Sequence, residues 1–321
     1  MNDSNVFFKL FTNCIFVEGE DKGVILDYQR QAIYEVDKNL CEILPFIEEY
    51  PLNELRTHSA ELYKVIMDLE TKELGFLTST PELFPAINDE WDVPSYVNNA
   101  IIEYGLNSTY SLSGLLAQIR NLNCTNLVLI INGLTDDQSL KIFSQIKQLE
   151  FYNVDVWFYS EPPWRSLKKM IGQLNVINSI KIFNSKTRQK VYKNTSLKYF
   201  EYKSPRELCE KELCPIVLDY TFYCESLLYN NCLNRKIAIN SFGEIKNCLY
   251  LEESFGNLSD NFIVDVIEKE DFKKMWYLTK DSVDTCKLCE YRYACLDCRA
   301  FTENPTNKYS KPLNCKKNDS I

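Results

Sequence analysis

Histidine is almost missing from this chain of 321 residues; His58 is the only one. One imidazole cannot build an HExxH protease, a multi-histidine iron site or a His-based zinc enzyme. A Ser-His-Asp or Cys-His triad could draw on His58 alone, and no nucleophile-elbow glycine pattern accompanies it. Between Thr57 and Ser59 it reads as a surface or capping residue. Glycine is also scarce: nine occur, none two residues from another, so neither GxGxxG nor GxxxxGK is present. Nucleotide binding through either loop is excluded. The longest apolar run, Leu127 to Ile131, falls far short of the roughly 20 residues a bilayer needs, so no membrane span is expected. Positive charge is short as well, with 36 Lys and Arg against 45 Asp and Glu for a net charge of -9. Such a surface repels phosphate, which argues against a nucleic-acid partner. The opening Met1-Asn2-Asp3-Ser4 lacks a basic stretch before an apolar one, so the cytoplasm is the expected compartment.

What remains is an ordinary globular composition, 45% hydrophobic and 25% charged, in a chain long enough for more than one domain. Residues 1–80 read as a small α+β unit of winged-helix shape. Short strands are expected over 7–17, 23–28 and 32–36, helices over 40–48 and 60–69, and a return strand over 74–77. In the second helix Leu62, Val65, Ile66 and Leu69 share one face. Residues 81–96, with three prolines and several acids, read as a linker. From 97 to 205, apolar runs at 100–103, 127–131, 154–158 and 179–183 alternate with helical stretches at 111–121, 136–149 and 164–174. That β-α-β-α-β-α-β order predicts a parallel sheet with right-handed crossovers and ligands at the carboxyl ends of its strands. Asp136 and Asp137 suit the positive end of the second of these helices. A hairpin is expected around Ser241-Phe242-Gly243, within a final unit spanning 206–321.

That final unit holds most of the 13 cysteines. Cys14, Cys41 and Cys124 are scattered, whereas Cys209, Cys214, Cys224, Cys232, Cys248, Cys286, Cys289, Cys295, Cys298 and Cys315 all follow residue 208. Disulfides are disfavoured in a reducing compartment, so the cluster points to metal. Two residues between thiols let both reach one centre, and CxxC pairs serve zinc and iron–sulfur sites alike. Cys286-Lys-Leu-Cys289 and Cys295-Leu-Asp-Cys298, only five residues apart, make a specific signal. With Cys224, Cys232, Cys248 and Cys315 they supply enough thiolates for two four-thiolate centres. Cys209 and Cys214 carry no such spacing and could be buried thiols. Zinc bound at the Cys286–Cys298 group is compatible with the same spacing, but leaves the upstream thiols without a purpose.

The run Cys232 … Gly243-x4-Cys248, then Cys286-x2-Cys289-x5-Cys295-x2-Cys298 and Cys315, resembles a SPASM domain, the C-terminal module of many radical SAM peptide-modifying enzymes. The surrounding text, with the Phe8-Lys-Leu-Phe11-x2-Cys14 opening, resembles the maturases of grasp-with-spasm systems. The resemblance implies two 4Fe–4S clusters, one on Cys286, Cys289, Cys295 and Cys315, the other on Cys224, Cys232, Cys248 and Cys298. It implies a ribosomal precursor peptide and an ATP-grasp ligase as partners, and leader capture by the N-terminal unit as an added strand, in a groove of the strand near 32–36 and the helix over 60–69. It implies a partial radical SAM-like β/α barrel over 97–205, but a degenerate one. The loop Tyr104 to Ser111 contains no cysteine, CxxxCxxC occurs nowhere, and Ile131-Asn132-Gly133-Leu134 offers one glycine in place of the usual pair. Radical generation from SAM is therefore not expected. Three roles stay open: a maturation protein presenting a peptide to the ligase, a redox enzyme acting on a peptide through its clusters, and a zinc-stabilised docking scaffold. The cations Lys280, Lys287, Arg292, Arg299, Lys311, Lys316 and Lys317 would either balance an anionic cluster or form a solvated basic face. Glu290 and Asp297 are conceivable substrate-binding carboxylates.

Overall fold

The computed structural model describes residues 6–149, 151–162, 164–173, 176–186, 188–192, 195–212 and 215–315. The chain opens with β1 (Phe7–Leu10) and β2 (Cys14–Glu18), two strands where one was expected. The Cys14 N–H donates to the Phe11 carbonyl at 2.8 Å and closes the turn between them. β3 (Lys22–Asp27) and β4 (Ala32–Asp37) complete an antiparallel meander, β2-β3-β4, in which β4 is an edge. Then come α1 (Lys38–Cys41), α2 (Leu52–His58), α3 (Ala60–Thr71) and β5 (Gly75–Thr78), which pairs with β1. The helix expected over 40–48 is broken. Pro45 has no N–H to donate, so the chain makes a 3-10 turn at Leu44–Phe46 and restarts as α2 after Pro51. His58 is exposed in the last turn of α2. Ser59 caps α3 by accepting the Leu62 N–H at 3.1 Å, and Leu62, Ile66 and Leu69 bury one face against the meander's Ile25 and Val36.

The large sheet follows. Its parts in chain order are β6 (Asn99–Gly105), α4 (Leu112–Asn121), β7 (Asn126–Asn132), α5 (Asp136–Gln148), β8 (Asn153–Phe158), α6 (Trp164–Gln173), β9 (Ile177–Ile182), β10 (Arg188–Tyr192) and β11 (Thr195–Tyr199). After α7 (Pro205–Glu212) and α8 (Tyr220–Leu228), β12 (Lys236–Ile239) and β13 (Ile245–Lys246) join the same sheet. The remaining helices are α9 (Ile263–Ile267) and α10 (Glu270–Lys273). The order is β10-β11-β9-β8-β7-β6-β12-β13, with six parallel strands from β11 to β12 and antiparallel β10 and β13 as edges. The sheet is open. Its alternating strand–helix half matches the sequence expectation, but both borders extend beyond it. The hairpin around Gly243 is no separate ornament: Lys236 to Ile239 lie in parallel register with Asn99 to Ile102. Gly243, at φ +80, makes the turn from β12 to β13 in a conformation that side chains disfavour.

Alternation in the strands sorts their two faces. Ala100, Ile102, Leu129, Ile131, Val156, Phe158, Ile180 and Ile182 pack with Leu116 and Ile119 of α4, Phe143 and Ile146 of α5, and Leu167 and Ile171 of α6. A capping box, Thr135 with Gln138, starts α5. The other face carries Ile101, Val128, Ile130, Trp157 and Lys181 and looks toward the cysteine-bearing segment. Both faces being covered is what a parallel sheet requires. The N-terminal meander also meets that segment, since Val17, Val24 and Leu26 pack with Tyr223, Tyr291 and Ala294. Arg292 Nη1 donates to the Glu18 carbonyl at 2.6 Å across the same contact. Among the described residues no helix is long and apolar enough to cross a membrane.

Candidate metal centres

Four of the eight sequence-selected cysteines surround one cavity. Cys286 opens a 3-10 turn, Cys286–Leu288, and its carbonyl accepts the Cys289 N–H at 2.9 Å, curling the CxxC so both thiols face the same side. Cys295 is anchored by a bridge to Ile216. Cys315 returns from the far end of the chain through the bridge between Thr302 and Pro312 and the Leu313 N–H bond to the Phe301 carbonyl, 2.9 Å. Cys286, Cys289, Cys295 and Cys315 line the cavity together with Lys280. That lysine is buried, with Nζ 3.9 Å from Cys286 Sγ and 3.4 Å from Asp297 Oδ1. Burial alone would strip its proton, but Asp297 and the thiols of Cys295 and Cys286 hold the ammonium above its ordinary range. Burial pushes the Cys286 thiol up to about 11, with Lys280 opposing.

Asp297 is therefore structural, not a substrate-facing carboxylate. It sits buried between Lys280 and Arg299 and also accepts from Asn230 Nδ2 at 2.7 Å. Glu290 is buried too, at 2% exposure. The cations do not form one basic face: Lys280 and Arg299 are interior, Arg292 engages Glu18 and Asp281, Lys311 pairs with Glu303, and Lys287 is exposed. Lys316 and Lys317 lie outside the described residues, as does Cys214.

For the second set the resemblance names Cys224, Cys232, Cys248 and Cys298. Cys232, Cys248 and Cys298 line a cavity of about 480 Å³ against the sheet face, and the fourth thiol there is Cys209. Cys209, on α7, packs with Cys298 and Phe301. Burial raises its thiol to about 12, and the neighbouring Cys248 adds to the rise. Lys236 on β12 supplies the cation, with Nζ 3.3 Å from Cys232 Sγ. Burial opposes its charge, yet Cys232 and Cys248 keep it above the ordinary lysine range. Cys224 stands apart on α8, in an apolar cluster with Tyr28, Trp91, Tyr223 and Tyr291. Cys209 has no local motif to reveal it; only the packing of α7 beneath the sheet brings it in.

The carboxyl ends of β6 and β7 carry a third cavity, lined by residues including Tyr104, Leu106, Ser108, Leu134 and Gln138, with no thiol in its lining. Beside it Tyr159 Oη donates to the Glu103 carboxylate at 2.9 Å and Tyr110 Oη to the Glu103 carbonyl at 2.7 Å. Among the described residues, no three Cys, His, Asp or Glu side chains are grouped tightly enough to clasp a single metal ion. The donor sets are all-thiol and arranged around cavities.

No protein-family model matches the chain, and no curated protein matches it. Solved structures with similarity include Streptococcus suis SuiB bound to S-adenosylmethionine, 10% identical with a TM-score of 0.41, covering 92% of this chain and 96% of that one. SuiB bound to precursor peptide SuiA gives 10% identity, a TM-score of 0.40 and the same coverages. SuiB alone gives 10% identity, a TM-score of 0.38, and coverages of 91% and 96%.

Proposed function

We propose that this chain is an iron–sulfur peptide-maturation protein of the SPASM type, which binds a ribosomal precursor peptide and assists its modification by a partner ATP-grasp ligase, without radical chemistry from SAM. The observation that carries the reading is the pair of all-thiol sets, each with a lysine directed at a sulfur, Lys280 buried and Lys236 half-buried. Cys286, Cys289, Cys295 and Cys315 would hold one 4Fe–4S cluster; Cys209, Cys232, Cys248 and Cys298 the other, with Cys209 in the place first given to Cys224. Such clusters carry net negative charge when ligated by four thiolates, and a buried ammonium offsets it. They supply one-electron transfer or structural cross-linking when bound. Zinc is the alternative occupant of the same thiols, since tetrahedral four-thiolate sites use this spacing.

The N-terminal meander supports the peptide-binding part. β4 is an edge strand with an unpaired side, and α3 packs on the same unit, which is the arrangement that accepts an added strand. The absence of cysteine from the loop between β6 and α4 supports the non-radical part. A redox role on the peptide is the second reading, favoured by the way the Cys209 set opens onto a chamber large enough for a substrate. The test is iron, zinc and acid-labile sulfide on anaerobically purified protein. About eight irons and eight sulfides per chain are expected; zinc near one or two with no sulfide would leave only a docking scaffold.

A further inference from the structure

Charge is spread very unevenly along this acidic chain. Residues 164–203 hold ten of the 36 Lys and Arg but only one of the 45 Asp and Glu, Glu201. That stretch is net +9 inside a chain whose total is -9. The fold concentrates it further, because the stretch is α6, β9 and the β10–β11 hairpin, which together form one border of the large sheet. Arg165, Lys168 and Lys169 are exposed on α6 at i, i+3 and i+4, while Leu167 and Ile171 are buried. The Lys168 ammonium lies 5.8 Å from the centre of the Tyr192 ring on β10, so the helix row adjoins the strand. Lys190 is exposed two residues before Tyr192 and so shares its face. Glu161, the acid just before α6, accepts the Ser185 hydroxyl at 3.0 Å.

β10 is also the outermost strand. β11 pairs with one of its sides, and no strand among the described residues meets the other. Val191, on the face opposite Lys190, is 65% exposed. Lysine on an open edge deters pairing with neutral or basic strands. Toward an acidic strand the same charges attract, and the row on α6 widens that attraction beyond the edge itself. β4, the edge of the N-terminal meander, is opposite in sign: it carries Glu35 and Asp37 and no cation.

We propose that the β10 border is a docking edge for an acidic, extended peptide segment, taken up as an added strand with its carboxylates toward Lys190 and the α6 row. The proposal deepens the peptide-maturation reading, on which it rests only for the source of the segment, an acidic part of the precursor other than the leader on β4. A nucleic acid also brings negative charge, but it has no ladder of N–H and C=O groups for a strand edge. The acidic remainder of the surface repels a polyanion as well.

The experiment is fluorescence anisotropy on the full chain, purified anaerobically, with four dye-labelled probes. Three are octapeptide amides of alternating Glu-Thr, Gln-Thr and Glu-Pro, and the fourth is an oligouridylate of eight nucleotides. Glu-Thr should bind at least about tenfold more tightly than Gln-Thr at about 0.1 M salt, and most of that preference should vanish near about 1 M. Glu-Pro keeps the charge but lacks the N–H of every second residue, so it should bind severalfold more weakly than Glu-Thr. The uridylate should also be weaker. Lys168→Glu with Lys190→Glu should abolish the acid preference. Lys274→Glu with Lys308→Glu, the same charge change at exposed lysines outside the stretch, should retain it. Bound Glu-Thr should slow hydrogen exchange over 188–192.

Equal binding of Glu-Thr and Gln-Thr, or of Glu-Thr and Glu-Pro, would overturn the proposal. So would a tighter uridylate, unchanged exchange over 188–192, an acid preference that survives Lys168→Glu with Lys190→Glu, or a dimer of the chain that the probe disperses. None of these outcomes touches leader capture on β4 or the thiol sets. Conversely, a precursor that fails to protect β4 leaves this edge standing, with the acidic strand coming from another protein.

Discussion

Asp297→Asn is the sharpest perturbation of the cysteine-bearing region that spares every thiol. The wild-type carboxylate lies at 1% exposure between Lys280, at 4%, and Arg299, at 6%. It accepts from Lys280 Nζ at 3.4 Å, from Arg299 Nη2, and from Asn230 Nδ2 at 2.7 Å. The amide keeps the shape but leaves two buried cations facing each other without the carboxylate between them. Breaking a buried pair by removing one partner costs about 3–5 kcal/mol. A chain of 321 residues unfolding as one unit gains about 0.7 kcal/mol/K of entropy, so about 4 kcal/mol lowers Tm by about 6 °C. A smaller cooperative unit would show a larger drop. The assay is differential scanning calorimetry at neutral pH on wild type, Asp297→Asn and the double variant Asp297→Asn with Lys280→Met. The double variant should recover part of the loss, because it removes one orphaned cation. A drop under about 2 °C for the single variant, or a double variant that is simply the sum of two losses, would refute the interior-triad account.

Three further outcomes are expected. Cys209→Ser should lower iron from about eight to about four per chain while Cys224→Ser leaves it near eight, as measured by metal analysis; the opposite pattern would restore Cys224 as the ligand. Glu225, bonded to Asn234 at 2.9 Å, has its carboxyl pushed up to about 7 by burial, against the Asn234 bond and the Arg235 charge. The folded chain therefore holds this proton more tightly than the unfolded chain, so stability present below the unfolded value of 4.5 declines as pH rises through about 7. Glu225→Gln should match wild type near pH 4 and exceed it at pH 8 by roughly 2 kcal/mol in urea titration, allowing for partial solvent screening. Finally, binding of the precursor peptide should slow hydrogen exchange in β4 and not in β2; protection confined to β2 would contradict capture on the β4 edge.

The parallel sheet was legible because its strands are short apolar runs separated by helices of the right length, each with alternate residues buried against those helices. Pro45 explains one miss, since a periodic apolar pattern says nothing about the lost N–H. The junction of β12 with β6 was not legible, because a short strand among cysteine loops carries no sign of a partner far upstream. Cys286 and Cys289 line one cavity, as the two-residue gap between them suggests, whereas Cys295 and Cys298, with the same gap, divide between two cavities. Cys315 needed the resemblance, and Cys209 needed the fold. Lys280 and Arg299 were visible as charges, but not as interior ones: only three-dimensional packing reveals a cation that has left water.

The insertion of β12 beside β6 also orders events in time. A ribosome delivers β6 through β11 well before residues 236–239 emerge, so the nascent sheet waits with Ala100, Ile101 and Ile102 on an unpaired border. Such a border is a template for other chains, and pairing across so long a sequence separation is slow. The strand that closes it carries Lys236 and follows Cys232 by four residues. Completion of the sheet and convergence of the Cys209 set are then one event, because Cys232 and the closing strand leave the ribosome together.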